Sequence, residues 1–195
     1  MADGSPQVVV IAGPNGAGKT TLAPFLLRDT FGLTVYVNAD SIAHGLSAFS
    51  PEAAAIESGR IMLKRLRDLA SRKETFAFET TLSTLSYATW LGRLKREGYN
   101  FHLIFLWLQS PELALRRVGE RVSAGGHDVP EHIIRRRYAK GVGNFLRLYV
   151  PLADTWVVYD NSTSGTVPRV AQGRGLKTEK VLDAALWRRI KEAAK

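Results

Sequence analysis

The chain has 195 residues, with 27 Lys and Arg against 18 Asp and Glu, a net charge of +9 and no cysteine. That length suits one α/β domain spanning residues 1–195 around a single core, and the absence of cysteine excludes disulfides and thiolate metal sites. The start Met1-Ala2-Asp3-Gly4-Ser5-Pro6 is polar and unlike a secretion signal. Apolar runs such as Leu103-Ile104-Phe105-Leu106-Trp107-Leu108 are strand length and far below a membrane span, so a cytoplasmic protein is expected.

The first predicted strand, near residues 7–12, holds Val8-Val9-Val10-Ile11-Ala12 and runs directly into Gly13-Pro14-Asn15-Gly16-Ala17-Gly18-Lys19-Thr20. This segment matches G-x-x-x-x-G-K-[ST], and Thr21-Leu22-Ala23-Pro24-Phe25-Leu26-Leu27 opens a helix behind it, near 19–30. The order strand, glycine-rich turn, helix gives the motif its mechanism. Glycines let successive backbone N–H groups turn inward around a phosphate chain, and the helix start adds partial positive charge. Lys19 would reach the β- and γ-phosphates, and the Thr20 hydroxyl would bind Mg²⁺. A bound nucleoside triphosphate is expected on residues 13–21.

Beyond the loop, strands are predicted near 34–38, 75–79, 102–108 and 155–160, and helices near 51–72, 84–97, 111–124, 131–149 and 178–194. Alternating apolar runs and amphipathic stretches call for a five-stranded, mainly parallel sheet with helices on both faces, the P-loop three-layer sandwich. Ser50-Pro51 and Ser110-Pro111 have the N-cap and N1 pattern of helix starts. Gly98 after Lys95-Arg96-Glu97 is a helix stop. Residues 161–176, rich in Ser, Thr, Gly and Asn, read as a surface loop. The C-terminal helix would dock Val181, Leu182, Ala185, Leu186 and Ile190 on the sheet.

The positive charge is uneven. Residues 116–147 carry a net +5 and residues 174–195 a net +4, which leaves the remainder neutral. Arginines gathered in one segment of a phosphate-handling protein point to a lid, near 112–147, more than to a nucleic-acid surface. Arg117 and Arg121 share one helix face, Gly125-Gly126-His127-Asp128-Val129-Pro130 makes a hinge, and Arg135-Arg136-Arg137 cannot all face one way.

Ligands of doubly wound sheets gather at the carboxyl ends of the strands. Three polar segments fall there: Asn38-Ala39-Asp40, Phe78-Glu79-Thr80-Thr81 and Tyr159-Asp160-Asn161-Ser162. Asp40 is placed either to take a proton from an acceptor hydroxyl or to cap the following helix. Glu79 ends an apolar strand and must face a partner or water. The histidines lack metal-ligand spacing.

Taken together, Gly13–Thr20, Asn38-Ala39-Asp40, Phe78-Glu79-Thr80-Thr81, Arg121 with Gly125-Gly126-His127, Ile134-Arg135-Arg136-Arg137-Tyr138 and Tyr159-Asp160-Asn161-Ser162 resemble the zeta toxin family of small P-loop kinases, over roughly residues 7–162. The resemblance implies phosphorylation of a small molecule with ATP and Mg²⁺. In the best-known members the acceptor is the sugar 3′-hydroxyl of UDP-N-acetylglucosamine. It makes Lys19 and Thr20 the phosphate and Mg²⁺ contacts and Asp40 the catalytic base. It puts Glu79, Thr80 and Thr81 against the UDP-sugar, Arg121 and Arg135 (or Arg136) on the γ-phosphate, and Asn161 beside the adenine. A protein antitoxin blocking the ATP site is an implied partner. Two other readings compete: a P-loop kinase of another metabolite, nucleotide or polynucleotide end, and a nucleotide-binding module without phosphotransfer.

Overall fold

The structure is a computed structural model, and it describes residues 4–29, 32–46, 54–126 and 128–194. The elements in chain order are β1 (Gln7–Ala12), α1 (Lys19–Pro24), β2 (Tyr36–Val37), α2 (Ala39–Leu46), α3 (Ala55–Ser71), β3 (Phe76–Thr80), α4 (Ser86–Arg96), β4 (Asn100–Trp107), α5 (Pro111–Ser123), α6 (Glu131–Asn144), α7 (Val150–Leu152), β5 (Thr155–Asp160), β6 (Arg169–Arg174), β7 (Lys177–Val181) and α8 (Ala184–Ala193). Single π-helical stretches, Phe25–Asp29 and Phe145–Tyr149, extend α1 and α6. The sheet runs β2-β3-β1-β4-β5-β6-β7, parallel through β5 and antiparallel from there on.

The central strands read as unbroken apolar runs because both faces are covered, and Val8 to Ala12 are wholly buried. The register aligns Val8 with Phe76 and Phe101, and Val10 with Phe78 and Leu103. That row faces α4, the α6 extension and α8. Phe105 stacks on Phe145 at 4.1 Å between ring centroids, and Trp156 stacks on Trp187 at 5.5 Å. α3 joins α4, with the Tyr87 hydroxyl 4.0 Å from Met62 Sδ. On the opposite face Leu26, from the α1 extension, borders a cleft shared with His102, Ile104 and Val157.

Several sequence expectations hold. Ser110 accepts a hydrogen bond from the Leu113 amide (3.2 Å) with Pro111 following it, and Gly98 leaves α4 with φ of 93°. The Ser50-Pro51 start and His127 lie outside the described residues.

The end of the chain differs from the sequence reading. The sheet has seven strands, not five, because half of the expected 161–176 loop and the first turn of the expected 178–194 helix form the β6–β7 hairpin. Arg174 pairs with Lys177 across Gly175-Leu176, a two-residue hairpin loop. Every residue of β7 is exposed, so it lacks the apolar alternation that marks a strand. The last helix starts only after Asp183, whose carboxylate accepts from the Leu186 amide at 2.8 Å, the N-cap bond. Val181 and Leu182, expected to dock, are exposed, whereas Ile190 is buried as expected and Trp187 is buried with it.

His102 on β4 shares a 2.7 Å hydrogen bond with the Thr155 hydroxyl on β5. Burial pulls its pKa below the ordinary value of 6.5, while Asp154 opposes that shift. The unfolded chain therefore binds this proton more readily, and stability present above that value is lost as pH falls through it. The loss stops growing once the folded state is protonated too. Thermal melts from about pH 7.5 to about pH 5.5 should show this decline, and His102→Gln should flatten it.

Candidate active site

The phosphate loop turns between β1 and α1. Gly18 sits at φ 76° and ψ 23°, a left-handed conformation that costs a glycine nothing. A side chain there would also collide with the Asn161 amide, 2.7 Å from the position of a Cβ. Asn161 Nδ2 donates to the Ala17 carbonyl at 2.9 Å, so the β5 end is tied to the loop. Arg117 fastens the same segment, donating to the carbonyls of Asn161 (2.6 Å) and Ser162 (3.3 Å).

Lys19 Nζ donates to the carbonyls of Gly13 and Pro14, at 3.0 and 2.9 Å. Burial pushes its pKa below the lysine range, against the pull of Glu79 and Asp40, which favour the charged form. Asn15 Oδ1 is buried with no hydrogen-bond partner among the described residues, and Asn15 lines the cavity beside the loop. Thr21 is exposed on α1.

Thr20 is the centre of a side-chain network. Its Oγ1 lies 3.1 and 3.3 Å from the two Glu79 carboxylate oxygens and accepts from Asn38 Nδ2 at 3.2 Å. Tyr36 donates to Glu79 Oε2 at 2.6 Å. Burial and the Glu79 charge both raise the Tyr36 pKa, so the phenol stays a donor. The Asn38 side-chain Oδ1 accepts from the amides of Asp40 (2.7 Å) and Ser41 (3.2 Å). Asn38, not Asp40, is thus the N-cap of α2, and the Asp40 carboxylate is left to face the cavity. Asp40 Oδ2 lies 3.7 Å from Arg121 Nη1.

A cavity of about 270 Å³ opens beside the loop. Lys19, Asp40, Glu79, Thr80, Thr81 and Arg137 all line it. The third arginine of the 135–137 run is the one that faces in. α6 buries Ile134, Tyr138, Gly141 and Val142, and Gly141 runs so close to the Thr81 carbonyl that no Cβ would fit. Arg137, one turn before Gly141, shares that inward side. Arg135, expected on the phosphate, turns outward to Glu112 and Glu131, both at 2.8 Å. The buried spacing 134, 138, 141, 142 was the signal that separates the two arginines.

For Mg²⁺ the nearby donors are hydroxyl and carboxylate oxygens, the hard ligands this ion takes. Among the described residues no three His, Cys, Asp or Glu gather as a metal cluster.

The parallel core, the loop after β1 and the carboxylates at neighbouring strand ends define the fold of the P-loop kinases. The chain belongs to the zeta toxin family, whose profile matches residues 1–166. It is 29% identical over 132 residues to an uncharacterized protein of Haemophilus influenzae, covering 68% of this chain and 92% of that one. Among solved structures it superposes on a chain of the AvrRxo1-ORF1:AvrRxo1-ORF2 complex with sulphate ions at a TM-score of 0.78 and 18% identity, over 99% of this chain. The same complex with ATP gives a TM-score of 0.75. The chain spans 66% of the length of that AvrRxo1 chain. A chain of the PezAT chromosomal toxin–antitoxin system of Streptococcus pneumoniae follows, with a TM-score of 0.63, 19% identity and coverage of 99% and 80%.

Asn38→Ala removes the α2 cap and one Thr20 contact together. Denaturant unfolding should show a loss of about 1–2 kcal/mol. Asn38→Asp, which keeps the capping oxygen, should recover most of the cap but not the donor to Thr20.

Proposed function

We propose that this chain is an ATP- and Mg²⁺-dependent kinase of zeta-toxin type, a single domain working in the cytoplasm. It transfers the γ-phosphate to a hydroxyl of a small molecule, with the sugar 3′-hydroxyl of UDP-N-acetylglucosamine as the acceptor. The observation that carries this reading is the meeting of Lys19, Asp40, Glu79 and Arg137 around one cavity at the carboxyl ends of the strands. A nucleotide switch has no use for a proton-accepting carboxylate facing the cavity beside its phosphate loop, whereas phosphotransfer to a hydroxyl needs one. The family match and the ATP in the AvrRxo1 complex support the choice of nucleotide. The PezAT likeness supports a protein antitoxin as partner.

In this mechanism Lys19 leaves the loop carbonyls for the β- and γ-phosphates. Thr20 would hold Mg²⁺ with Glu79 at its side, and the ion would supply neutralisation of charge on the phosphate oxygens. Thr80, Thr81 and Ser83 offer hydroxyls to a polar acceptor on the cavity wall. Asp40 takes the proton of the acceptor hydroxyl as that oxygen bonds to the γ-phosphorus, and the bond to the β,γ-bridging oxygen breaks to leave ADP. Arg121 and Arg137 stabilise charge on the transferring group. For Arg121 this requires exchanging its Asp40 contact for phosphate. Asn161, tied to the loop, borders the nucleotide base.

Mass spectrometry of Mg·ATP incubated with UDP-N-acetylglucosamine should show a phosphorylated nucleotide sugar with the parent protein and none with Lys19→Ala. ADP formed without that product would move the acceptor to another hydroxyl compound. Asp40→Asn should keep ATP binding while kcat falls about 10²- to 10⁴-fold, and normal turnover would remove the base assignment. Arg137→Ala should lower kcat by about 10²-fold or more, while Arg135→Ala should leave it within about twofold. Because the Lys19 pKa is depressed, ATP affinity should fall on the alkaline side before pH reaches the ordinary lysine value of about 10.4.

A further inference from the structure

Tyr36 occupies β2 opposite Ala77 of β3, so Glu79 is its diagonal neighbour on the same face of the sheet. A phenylalanine would fill that half-buried space equally well, and what the hydroxyl adds is a 2.6 Å hydrogen bond to Glu79 Oε2 together with a contact to the Asn38 side-chain amide. Glu79 in turn sits 3.1 Å from Thr20 Oγ1 through the same oxygen.

The hydroxyl of Thr20 has one proton and two lone pairs. Glu79 takes the proton, and Asn38 Nδ2 occupies one lone pair. The remaining lone pair is what a divalent cation would use. Were Glu79 to rotate away, the Thr20 proton could turn toward the cation position and oppose it.

We propose that Tyr36 is a positioning residue that holds Glu79 against Thr20 and thereby sets how tightly the loop binds a divalent cation. This rests on the reading of Thr20 as the metal contact. Tyr36 touches neither nucleotide nor acceptor in this scheme and acts through Glu79.

The test uses Mn²⁺ as probe, titrated by electron paramagnetic resonance into full-length protein with ADP, alongside Tyr36→Phe and Tyr99→Phe. Tyr99 is the control because its hydroxyl bonds the Glu74 carbonyl, at 2.8 Å, away from the site. Tyr36→Phe should weaken Mn²⁺ binding by about tenfold, the scale set by outer-shell partners of metal ligands. Its ADP affinity in EDTA should match the parent, and its kcat at saturating Mg²⁺ should stay within about twofold. Tyr99→Phe should titrate like the parent.

A Tyr36→Phe protein with parental Mn²⁺ affinity overturns the proposal. So does an equal loss of ADP affinity in EDTA, which would mark a general disturbance of the loop. A parent that binds Mn²⁺ and ADP yet phosphorylates no acceptor overturns the kinase reading and leaves this one standing. A parent with no metal-dependent nucleotide binding overturns both.

Discussion

The buried side chain of Asn38 is the joint on which the site depends. A buried amide must satisfy both its donor and its acceptor, and Asn38, 3% exposed, does so in two directions. Its nitrogen reaches Thr20 on the phosphate loop, and its oxygen holds the first amides of α2. The loop after β1 and the helix bearing Asp40 are thus locked to one another by a single residue. Glu79 and Tyr36 extend the lock to β3 and β2, so two parallel strands and the start of α1 meet in one polar cluster.

This rigidity has a basis beneath it. The strands that present these groups are buried on both sides, with Phe76, Phe78, Phe101 and Phe105 fully enclosed. Aromatic contacts from α4 and the α6 extension pin that layer. Apolar packing of this kind leaves little room for displacement, so polar groups at the strand ends keep their spacing. Arg121 and Arg137 come from α5 and α6, outside the sheet. They reach the strand-borne groups from the helices, and Arg121 does so through its 3.7 Å contact with Asp40.

The positive charge is divided in the same way. Within the 135–137 run, Arg137 turns to the cavity while Arg135 is neutralised by Glu112 and Glu131 on the surface. Arg117 is spent on two backbone carbonyls of the β5 end. Three arginines that look alike in a charge count therefore differ in what they touch: ligand space, solvent-facing carboxylates and backbone.

Much of this was legible in the chain of residues. The apolar run before Gly13, the loop motif and the helix behind it define a phosphate-binding turn through local chemistry alone, since backbone conformation and residue size act over a few neighbours. β5 falls on its expected residues for the same reason. The β6–β7 hairpin was not legible, because β7 is exposed along its length and pairs at the sheet edge without an apolar signature. Nor was the role of Tyr36, whose partner lies 43 residues away. The sequence by itself determined the parallel core, the phosphate loop and the identity of the carboxylates near it. Only the tertiary structure decided which arginine faces the cavity, that Asn38 caps α2 in place of Asp40, and how Thr20, Glu79 and Tyr36 meet. Those outcomes depend on helix rotation and on contacts between distant strands, which are set by packing rather than by near neighbours.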